Sequence, residues 1–274
     1  MARKQSEKEK AMQATAQRTE LERRAVEKLH QLITETFEQI AMLGYEQHLQ
    51  DEFLRFSSIK NKRLLQHYLE QLRRLLYSII ENYAQMATEV VRRFFPFIEE
   101  ITIADILNRE SHGKTAKQRI AIYTQRLKME MEAWIAAAVS IGVDMATLVQ
   151  TFNAQSRNPY SNPIFSAAMK RLRNSGETAA ASRLRTGGVS YGTGIYVSAE
   201  ASLNRLARYL VADSFRLAQF LAFGSTPGIK GYIVGRGSSY PCDLCDSMAG
   251  FHPLGYEELP PYHANCCCWA MPAT

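Results

Sequence analysis

All five cysteines of this chain lie between Cys242 and Cys268, and the long stretch before them contains none. A disulfide framework normally spreads its cysteines so that they join distant loops of a secreted chain. Five cysteines confined to one short segment favour a metal site instead. This segment therefore predicts a small module near the carboxy terminus that is held together by a bound ion.

The spacing within the segment is typical of two short metal-binding turns. Cys242 and Cys245 form a Cys-x-x-Cys pair, and His263 and Cys266 form a His-x-x-Cys pair after seventeen intervening residues. Zinc prefers four nitrogen and sulfur donors in a tetrahedron, and each turn can supply two of them. We predict a zinc ion bound by Cys242, Cys245, His263 and Cys266, with Cys268 as a substitute for Cys266.

The last three cysteines, Cys266 to Cys268, are consecutive. In an extended segment Cys266 and Cys268 would point to one side and Cys267 to the other. Four protein donors would leave no position for water, so the predicted ion is structural and not catalytic. The alternative is that the cysteines are small buried hydrophobes packed with Phe251 and Trp269, because free cysteine is often buried.

Helical periodicity dominates the rest of the chain, with apolar residues recurring every three or four positions. The pattern predicts helices over about 20–43, 61–95, 115–140, 144–154, 165–185 (one or two helices, broken at 174–176) and 199–223. The helix over 61–95 would be ~50 Å long. Residues 231–235 predict a short strand. We therefore predict a mainly α fold, an elongated helical body with a small α+β, zinc-stabilised carboxy-terminal module.

The sequence predicts three consecutive regions along the chain. They are a charged amino-terminal extension (1–20), a helical body (21–163) and a carboxy-terminal domain (164–274) whose metal module spans about 231–270. We interpret the extension as a solvated continuation of a helix. A disordered basic arm touching DNA or an acidic protein surface is the alternative. Four glycines within 185–194 predict a flexible or tightly turned segment.

The charge and hydropathy patterns restrict the partners and the compartment. The formal net charge of +6 is mild and supports nucleic-acid contact only weakly. The polar amino terminus does not resemble a secretory signal, so we expect a protein that is not exported. The apolar window 134–143 is about half of the ~20 residues that a bilayer crossing requires. It predicts a buried helix segment, and no membrane association is expected.

No catalytic motif emerges from the sequence, which lacks a Walker A loop, a Gly-x-Ser-x-Gly elbow and a His-Glu-x-x-His helix. Four further histidines lie in segments without a nearby cysteine or matched carboxylate, and we interpret them as ordinary surface or core residues: His30, His48, His67 and His112. We predict that the protein is not an enzyme.

Three arginines, Arg205, Arg208 and Arg216, share one face of the helix predicted over 199–223. Guanidinium groups can bind carboxylate or phosphate through paired hydrogen bonds. The face is therefore a candidate contact for a protein partner or DNA. A solvated or interdomain face is the other interpretation.

The carboxy-terminal third resembles a known family of phage head proteins. The segments GTGIYVSAEASLNRLARYLVADSFRLAQ and YPCDLCDSMAGFHPLGYEELPPYHANCCCWA are similar to the carboxy-terminal domain of the MuF-like phage head morphogenesis family. The matching positions are Arg205, Arg208, Cys245, Asp246, Gly250, Pro261, His263, Cys266 and Cys268. The similarity covers roughly residues 190–270, with looser support from residues 113–135.

The resemblance implies a minor structural protein (minor capsid protein) of a tailed-phage or prophage head, present in the virion. Such a protein lies near the portal vertex or the capsid interior and acts in head morphogenesis. The implied partners are the portal protein, the major capsid protein or both, with packaged DNA as a further contact. No catalysis is implied.

Two other functions compete with this one. Some MuF-like domains are fused to toxins, and GTGIYVSAE is faintly similar to ADP-ribosyltransferases. Those enzymes generally need a Glu-x-Glu or similar carboxylate pair, but after Glu200 the only acidic pair is Glu257 and Glu258. A zinc-dependent nucleic-acid binder is the second competitor. Zinc-finger readers present basic side chains beside the metal, whereas no Lys or Arg lies between Cys242 and Cys268.

Overall fold

The computed structural model describes residues 5–45, 56, 59, 61–96, 102–110, 113–157, 162–188, 198–255, 258–263 and 265–274, without the side chains of 183 and 185–188. Its elements, in chain order, are α1 (Glu7–Tyr45), α2 (Lys62–Phe94), α3 (Ile103–Asn108), α4 (Ala116–Ser140), α5 (Met145–Gln155), α6 (Pro163–Asn174), α7 (Thr178–Gly188), α8 (Ala199–Gly224), β1 (Gly231–Gly235), α9 (Asp243–Ser247), β2 (Gly250–Pro253) and β3 (Trp269–Ala273). The prediction of a mainly helical chain with a small α+β carboxy-terminal module is confirmed.

Most of the predicted helices agree with the structure to within a few residues. The exception is α1, which begins at Glu7 and not near residue 20. Its start is a capping box, in which the backbone N–H of Glu9 donates to Oγ of Ser6 (3.2 Å) and the backbone N–H of Ser6 donates to the Glu9 carboxylate (2.8 Å). Residues 1–20, interpreted as a solvated continuation of a helix, are therefore helical from Glu7, but Ala11, Ala14 and Arg18 within them are buried and not solvated.

The glycine-rich stretch differs from its prediction in the part that can be compared. Residues 185–188 form the last turn of α7 and not a loop. The remaining predicted turn, 189–194, lies outside the described residues, as do Arg3 and Lys4 of the predicted basic arm, His48 and His112. In the described part of the chain, no helix is both long enough and apolar enough to span a membrane.

The chain divides into two compact units that interleave along the sequence. The first unit contains residues 1–26, 79–116 and 205–274, and the second contains 27–78 and 117–204. Each unit thus includes part of α1, of α2 and of α8. The predicted ranges 1–20, 21–163 and 164–274 describe order along the chain, and as domain boundaries they stay a prediction.

Aromatic packing holds the second unit together. The rings of Phe37 and Phe152 stack with centroids 3.7 Å apart, and Trp134 meets Phe152 edge-on at 5.4 Å and Phe165 at 5.1 Å. Phe37, Trp134 and Phe152 are at most 1% exposed. The window 134–143, predicted to be a buried helix segment, is helical and buried over 134–139. Burial of these six side chains stabilises the second unit through the hydrophobic effect.

The first unit packs the carboxy-terminal segment on helices. Its core combines small residues of α1, the end of α2, apolar residues of α8 and the strands, together with Cys245, Cys266 and Cys268. The rings of Phe95 and Phe223 meet edge-on at 5.3 Å. Three of the five cysteines therefore lie in the same apolar core as the sheet.

Candidate metal centre

The topology of the sheet brings the two cysteine-bearing segments to one place. The strands are ordered β2-β1-β3, and β1 is antiparallel to both neighbours. The last residues of β1 pair with the first residues of the other two strands, Val234 with Gly250 and Gly235 with Trp269. The segments that precede β2 and β3 therefore arrive at the same end of the sheet, and these segments carry the predicted donors.

The first turn is formed at the start of a short helix. Cys242 is the N-cap residue of α9, and Cys245 lies within α9, where the backbone N–H of Asp246 donates to the Cys242 carbonyl (2.9 Å). Cys245 is buried at 3% exposure, whereas Cys242 is only partly buried. One tight turn thus presents two thiols.

The second turn is closed by its own backbone. The N–H of Cys266 donates to the carbonyl of His263 at 3.2 Å, and Asn265 between them adopts a positive φ of 64°. Asparagine tolerates this left-handed conformation better than most residues, because its short side chain can form local hydrogen bonds. His263 is exposed, and Cys266 is 3% exposed.

The side chains of the two turns meet. The Nε2 atom of His263 lies 3.0 Å from Sγ of Cys245 and 3.3 Å from Sγ of Cys242, and the Sγ atoms of Cys245 and Cys266 are 3.7 Å apart. Within the described residues, two groups of three donors lie within 4.8 Å of one another and share Cys245: Cys242, Cys245 and His263, and Cys245, Cys266 and Cys268. The structure therefore brings the five predicted donors together as two such groups joined at Cys245, and the cluster could hold a metal ion. Among the described residues, no four of these donors all lie within 4.8 Å of one another.

The consecutive cysteines alternate as the sequence predicted. Cys266 and Cys268 are buried and belong to the donor cluster. Cys267 is more exposed, and its thiol lies 3.5 Å from the carbonyl of Asn265. The alternative of cysteines packed as plain hydrophobes is met in part, since Trp269 shares their core, but Phe251 is 61% exposed and does not cover them.

Electrostatics of the cluster fit a bound cation. Burial raises the pKa of Cys245, and the neighbouring thiols raise it further. Burial also raises the pKa of Cys268, and Cys266 adds to this. Without a cation these thiols would keep their protons, because several thiolates this close would repel one another. A divalent ion removes that cost and binds thiolates as ligands.

A buried arginine from α1, which the sequence did not single out, lies against the second turn. Arg18 is 1% exposed, and its Nη2 donates to the carbonyl of Cys266. Its Nε lies 3.2 Å from Oε1 of Glu22, and its guanidinium carbon lies 5.6 Å from the ring centroid of Phe215. The capping box at Ser6 and the spacing of small residues before Arg18 are the signals that could have extended the helix to it.

The three arginines of α8 have different surroundings. Arg208 donates to the side-chain oxygen of Asn265, in the second turn, and Arg216 pairs with Asp213 at 2.5 Å. Arg205 is exposed. One of the three thus contacts the donor cluster's own loop, and a role for the face in binding a partner or DNA stays a prediction.

Two predictions about histidines can be compared with the structure. The prediction that His30 lacks a matched carboxylate is wrong, because its Nδ1 lies 2.8 Å from Oε1 of Glu200, a residue too distant along the sequence to be paired by inspection. His67 is exposed, as expected for a surface histidine. Within the described residues, the metal-capable clusters are confined to the carboxy-terminal cysteines and His263.

No protein-family model, curated protein or solved structure matches this chain.

Proposed function

We propose that this chain is a minor structural protein of a tailed-phage or prophage head, and that a structural zinc ion holds its carboxy-terminal module together. The observation that carries the proposal is the group of Cys242, Cys245 and His263 at the end of the sheet, which Cys266 joins through its contact with Cys245. The similarity of residues 190–270 to MuF-like head morphogenesis proteins supplies the biological setting. The ordered helical body supports a structural role.

Zinc is favoured by the type and spacing of the donors. Thiolate and imidazole are the ligands that zinc prefers, and two thiolates on a tetrahedral zinc with bonds of about 2.3 Å lie about 3.8 Å apart. The Cys245–Cys266 sulfur separation of 3.7 Å is close to this value. The distances from Nε2 of His263 to the Sγ atoms of Cys245 and Cys242 are 3.0 and 3.3 Å. They are slightly shorter than the separation of a sulfur and a nitrogen ligand on a tetrahedral zinc.

Cys266 is the fourth donor that we favour. It follows His263 in a turn closed by a hydrogen bond, so that one rigid turn supplies two donors in the same way as Cys242 and Cys245. Cys268 leads directly into β3 and belongs to the second group of donors. Its thiol lies within 4.8 Å of those of Cys245 and Cys266, so Cys268 is the substitute donor for Cys266.

The donor set supports a structural ion. A catalytic zinc keeps a position for water or substrate, whereas four protein donors fill a tetrahedron. The ion would then act by joining α9 to the turn before β3, two segments that carry few apolar side chains of their own. An ion of this kind takes no part in catalysis, which is consistent with our proposal that the protein is not an enzyme.

The surface of the module supports a protein partner more strongly than DNA. The one basic residue of the module, Arg236, is paired with Asp246, and residues 237–274 contain neither Lys nor Arg. The module's exposed carboxylates are Asp243, Asp246 and Glu258, and its exposed large apolar side chains are Tyr240 (78%), Leu244 (48%), Phe251 (61%) and Leu254 (38%). An acidic and apolar surface repels a phosphate backbone and can be buried on a protein. We propose that it docks on the portal protein or the major capsid protein, inside the virion.

The metal assignment is tested by elemental analysis of the purified full chain. We expect one zinc per chain in the wild type and in Cys267→Ser, and a marked loss of zinc in Cys245→Ser. Cys267→Ser is a matched control, because it removes a thiol from the same segment that lies outside the donor cluster. A folded wild type without bound metal would refute the zinc centre.

The head assignment is tested by mass spectrometry of purified particles of the encoding phage or induced prophage. We expect this chain at low copy number in both DNA-filled and empty heads. Phe251→Ser should reduce its incorporation, whereas Ile122→Ser, which changes a 44% exposed side chain on α4, should not. Absence from all particles would refute the head function, and retention of the isolated module on DNA columns with steep salt dependence would favour a nucleic-acid binder.

A further inference from the structure

Arg18 is a buried cation whose surroundings leave its charge only partly compensated. It is 1% exposed, and Glu22, on the next turn of α1, is its nearest acidic partner at 3.2 Å. That contact lacks hydrogen-bond geometry, and among the described residues Nη1 of Arg18 also has no hydrogen-bond partner. A buried charge is costly unless it is paired and hydrogen-bonded.

Besides Thr19 and the ring of Phe215, the guanidinium contacts the second turn of the donor cluster. Nη2 of Arg18 donates to the carbonyl of Cys266, in the turn that begins with His263. Burial lowers the pKa of Arg18, while Glu22 and Cys266, Cys267 and Cys268 raise it. Arginine nevertheless stays protonated in proteins. A permanent positive charge is therefore fixed beside the metal donors.

The charge of the filled metal centre complements this cation. Three thiolates and a neutral imidazole around a divalent ion carry one net negative charge. Burial raises the pKa of Glu22, whereas Arg18 and Arg208 lower it. The contact of Glu22 with Arg18 is not a hydrogen bond, so it compensates the guanidinium only in part. A thiolate-rich centre in the same core would pair with the guanidinium through the Cys266 backbone and through space.

We propose that Arg18 is the counter-cation of the metal centre and couples metal binding to the packing of the first turns of α1 on the carboxy-terminal module. The inference rests on the proposed metal centre. It assigns Arg18 a positioning role: the residue orients the Cys266 turn and balances its charge, without touching the ion.

Arg208, which also contacts this turn, differs from Arg18 in its burial and in the group that it contacts. Arg208 reaches the same turn, but it is half-buried and contacts the side chain of Asn265 and not the backbone of a donor. Water can screen a half-buried charge. Arg18, by contrast, is enclosed by α1, Phe215 of α8 and the turn, so its charge acts at short range and without screening.

The coupling predicts two measurable effects on the full-length chain. Substituting the outer groups around a metal centre typically weakens metal binding by 10- to 100-fold. Arg18→Gln should therefore weaken zinc binding by roughly 10- to 100-fold, measured by competition with a chromophoric chelator. Stripping zinc from the wild type should also speed amide exchange in residues 7–25 of α1 more than in residues 27–45 of the same helix.

A matched control separates this effect from a general change of charge. Arg24→Gln removes a cation from the same helix, but the Arg24 side chain is 57% exposed and pairs with Glu20 at the surface. It should keep wild-type zinc affinity. Wild-type affinity in Arg18→Gln, or α1 exchange that chelation does not change, would overturn the coupling while leaving the metal centre intact. A wild type that binds no zinc would instead refute the centre itself. Because the exchange experiment needs no substitution, it decides the question even if Arg18→Gln fails to fold.

Discussion

The Nδ1 atom of His30, on α1, lies 2.8 Å from Oε1 of Glu200, in the first turn of α8. Glu200 is completely buried, and Nε of Arg157 lies 2.9 Å from the same oxygen. Burial alone would raise the pKa of Glu200, but the contacts with His30 and Arg157 outweigh it, so that its pKa is lowered. The contacts with His30 and Arg157 thus stabilise the charged carboxylate inside the second unit.

Removing one partner should expose the cost of that buried charge. We expect His30→Ala to destabilise the chain by about 1–3 kcal/mol, because the buried Oε1 of Glu200 loses one of its two donors and keeps only Arg157. Urea unfolding followed by circular dichroism measures the difference. His67→Ala, at an exposed position on α2, is the control and should change the free energy of unfolding by less than about 0.5 kcal/mol. Equal effects of the two substitutions would contradict the role of the pair.

The same pair predicts a pH window for its contribution. Glu200 raises the pKa of His30, so the stabilisation from His30 is complete below the ordinary histidine pKa and is lost as the pH rises through the raised value. The pKa of Glu200 is lowered, so its stabilisation is present above the ordinary glutamate pKa and is lost as the pH falls through the lowered value. The stability difference between wild type and His30→Ala should therefore be largest in mildly acidic solution and shrink on either side.

A second buried carboxylate, Glu130, has a raised pKa, so its contribution to stability changes with pH in the opposite sense to that of Glu200. It caps the start of α8, accepting from the backbone N–H of Ala199 at 3.0 and 3.1 Å, and burial raises its pKa to about 8. The folded state therefore holds a proton that the unfolded chain releases at lower pH. Stability should fall as the pH rises from the ordinary glutamate range through about 8.

The variant Glu130→Gln should remove most of this pH dependence. The amide oxygen of glutamine can still accept from Ala199, and the variant has no charge to bury. We expect wild type to lose a few kcal/mol between mildly acidic and mildly alkaline solution, and Glu130→Gln to lose clearly less. Glu70→Gln, an exposed change on α2, should follow the wild type. A wild-type slope in Glu130→Gln would show that the carboxyl group is not the group that titrates.

The extent to which the fold followed from the sequence depended on the size of the buried side chains. Leu, Ile and Phe at helical spacing located α2, α4 and α8 closely. The first turns of α1 bury Ala11, Ala14 and Arg18, which carry little or no apolar signal, so the periodicity started too late. The strands β2 and β3 were missed because each contains a proline and no β-branched residue, whereas β1 has Ile233 and Val234 between two glycines.

The donor cluster was easier to predict than its surroundings. Two short turns with fixed spacing are local features, so Cys242, Cys245, His263 and Cys266 could be identified without knowledge of the fold. The contacts of Arg18 with Cys266 and of His30 with Glu200 join residues that are far apart in the sequence. Such contacts depend on how helices pack, and neither partner is unusual in its own segment.

The backbones of Gly237 and Cys267 approach so closely beside the donor cluster that position 237 has no room for a side chain. A Cβ atom on Gly237, just after β1, would overlap the carbonyl oxygen of Cys267. Gly237→Ala should therefore push the Cys266–Cys268 segment away and weaken zinc binding, together with a loss of about 1–3 kcal/mol of stability. Gly224→Ala is the control, because a Cβ there meets no atom within 4 Å. Unchanged zinc affinity in Gly237→Ala would mean that the cluster does not depend on this contact.

Removing the metal should loosen the carboxy-terminal module and leave most of the helices formed. Cys245, Cys266 and Cys268 share a core with Trp269, so loss of the ion should release the segments that flank β2 and β3. The proposed zinc ion would bind the folded cluster in preference to the unfolded chain. Raising free zinc to about one hundred times its Kd should therefore add about 2.7 kcal/mol to the free energy of unfolding.

Limited proteolysis with and without a chelator measures the loosening, and thermal unfolding at a series of free zinc concentrations measures the added stability. We expect new cleavage within residues 238–268 after chelation, little change in far-ultraviolet helix signal, and a Tm that rises with free zinc. In Cys245→Ser, both responses should be small, because the thiol shared by the two donor groups is absent. A chelated wild type with the same cleavage pattern and the same Tm would show that the ion contributes nothing to the module, and the cysteines would then be packed as ordinary core residues around Trp269.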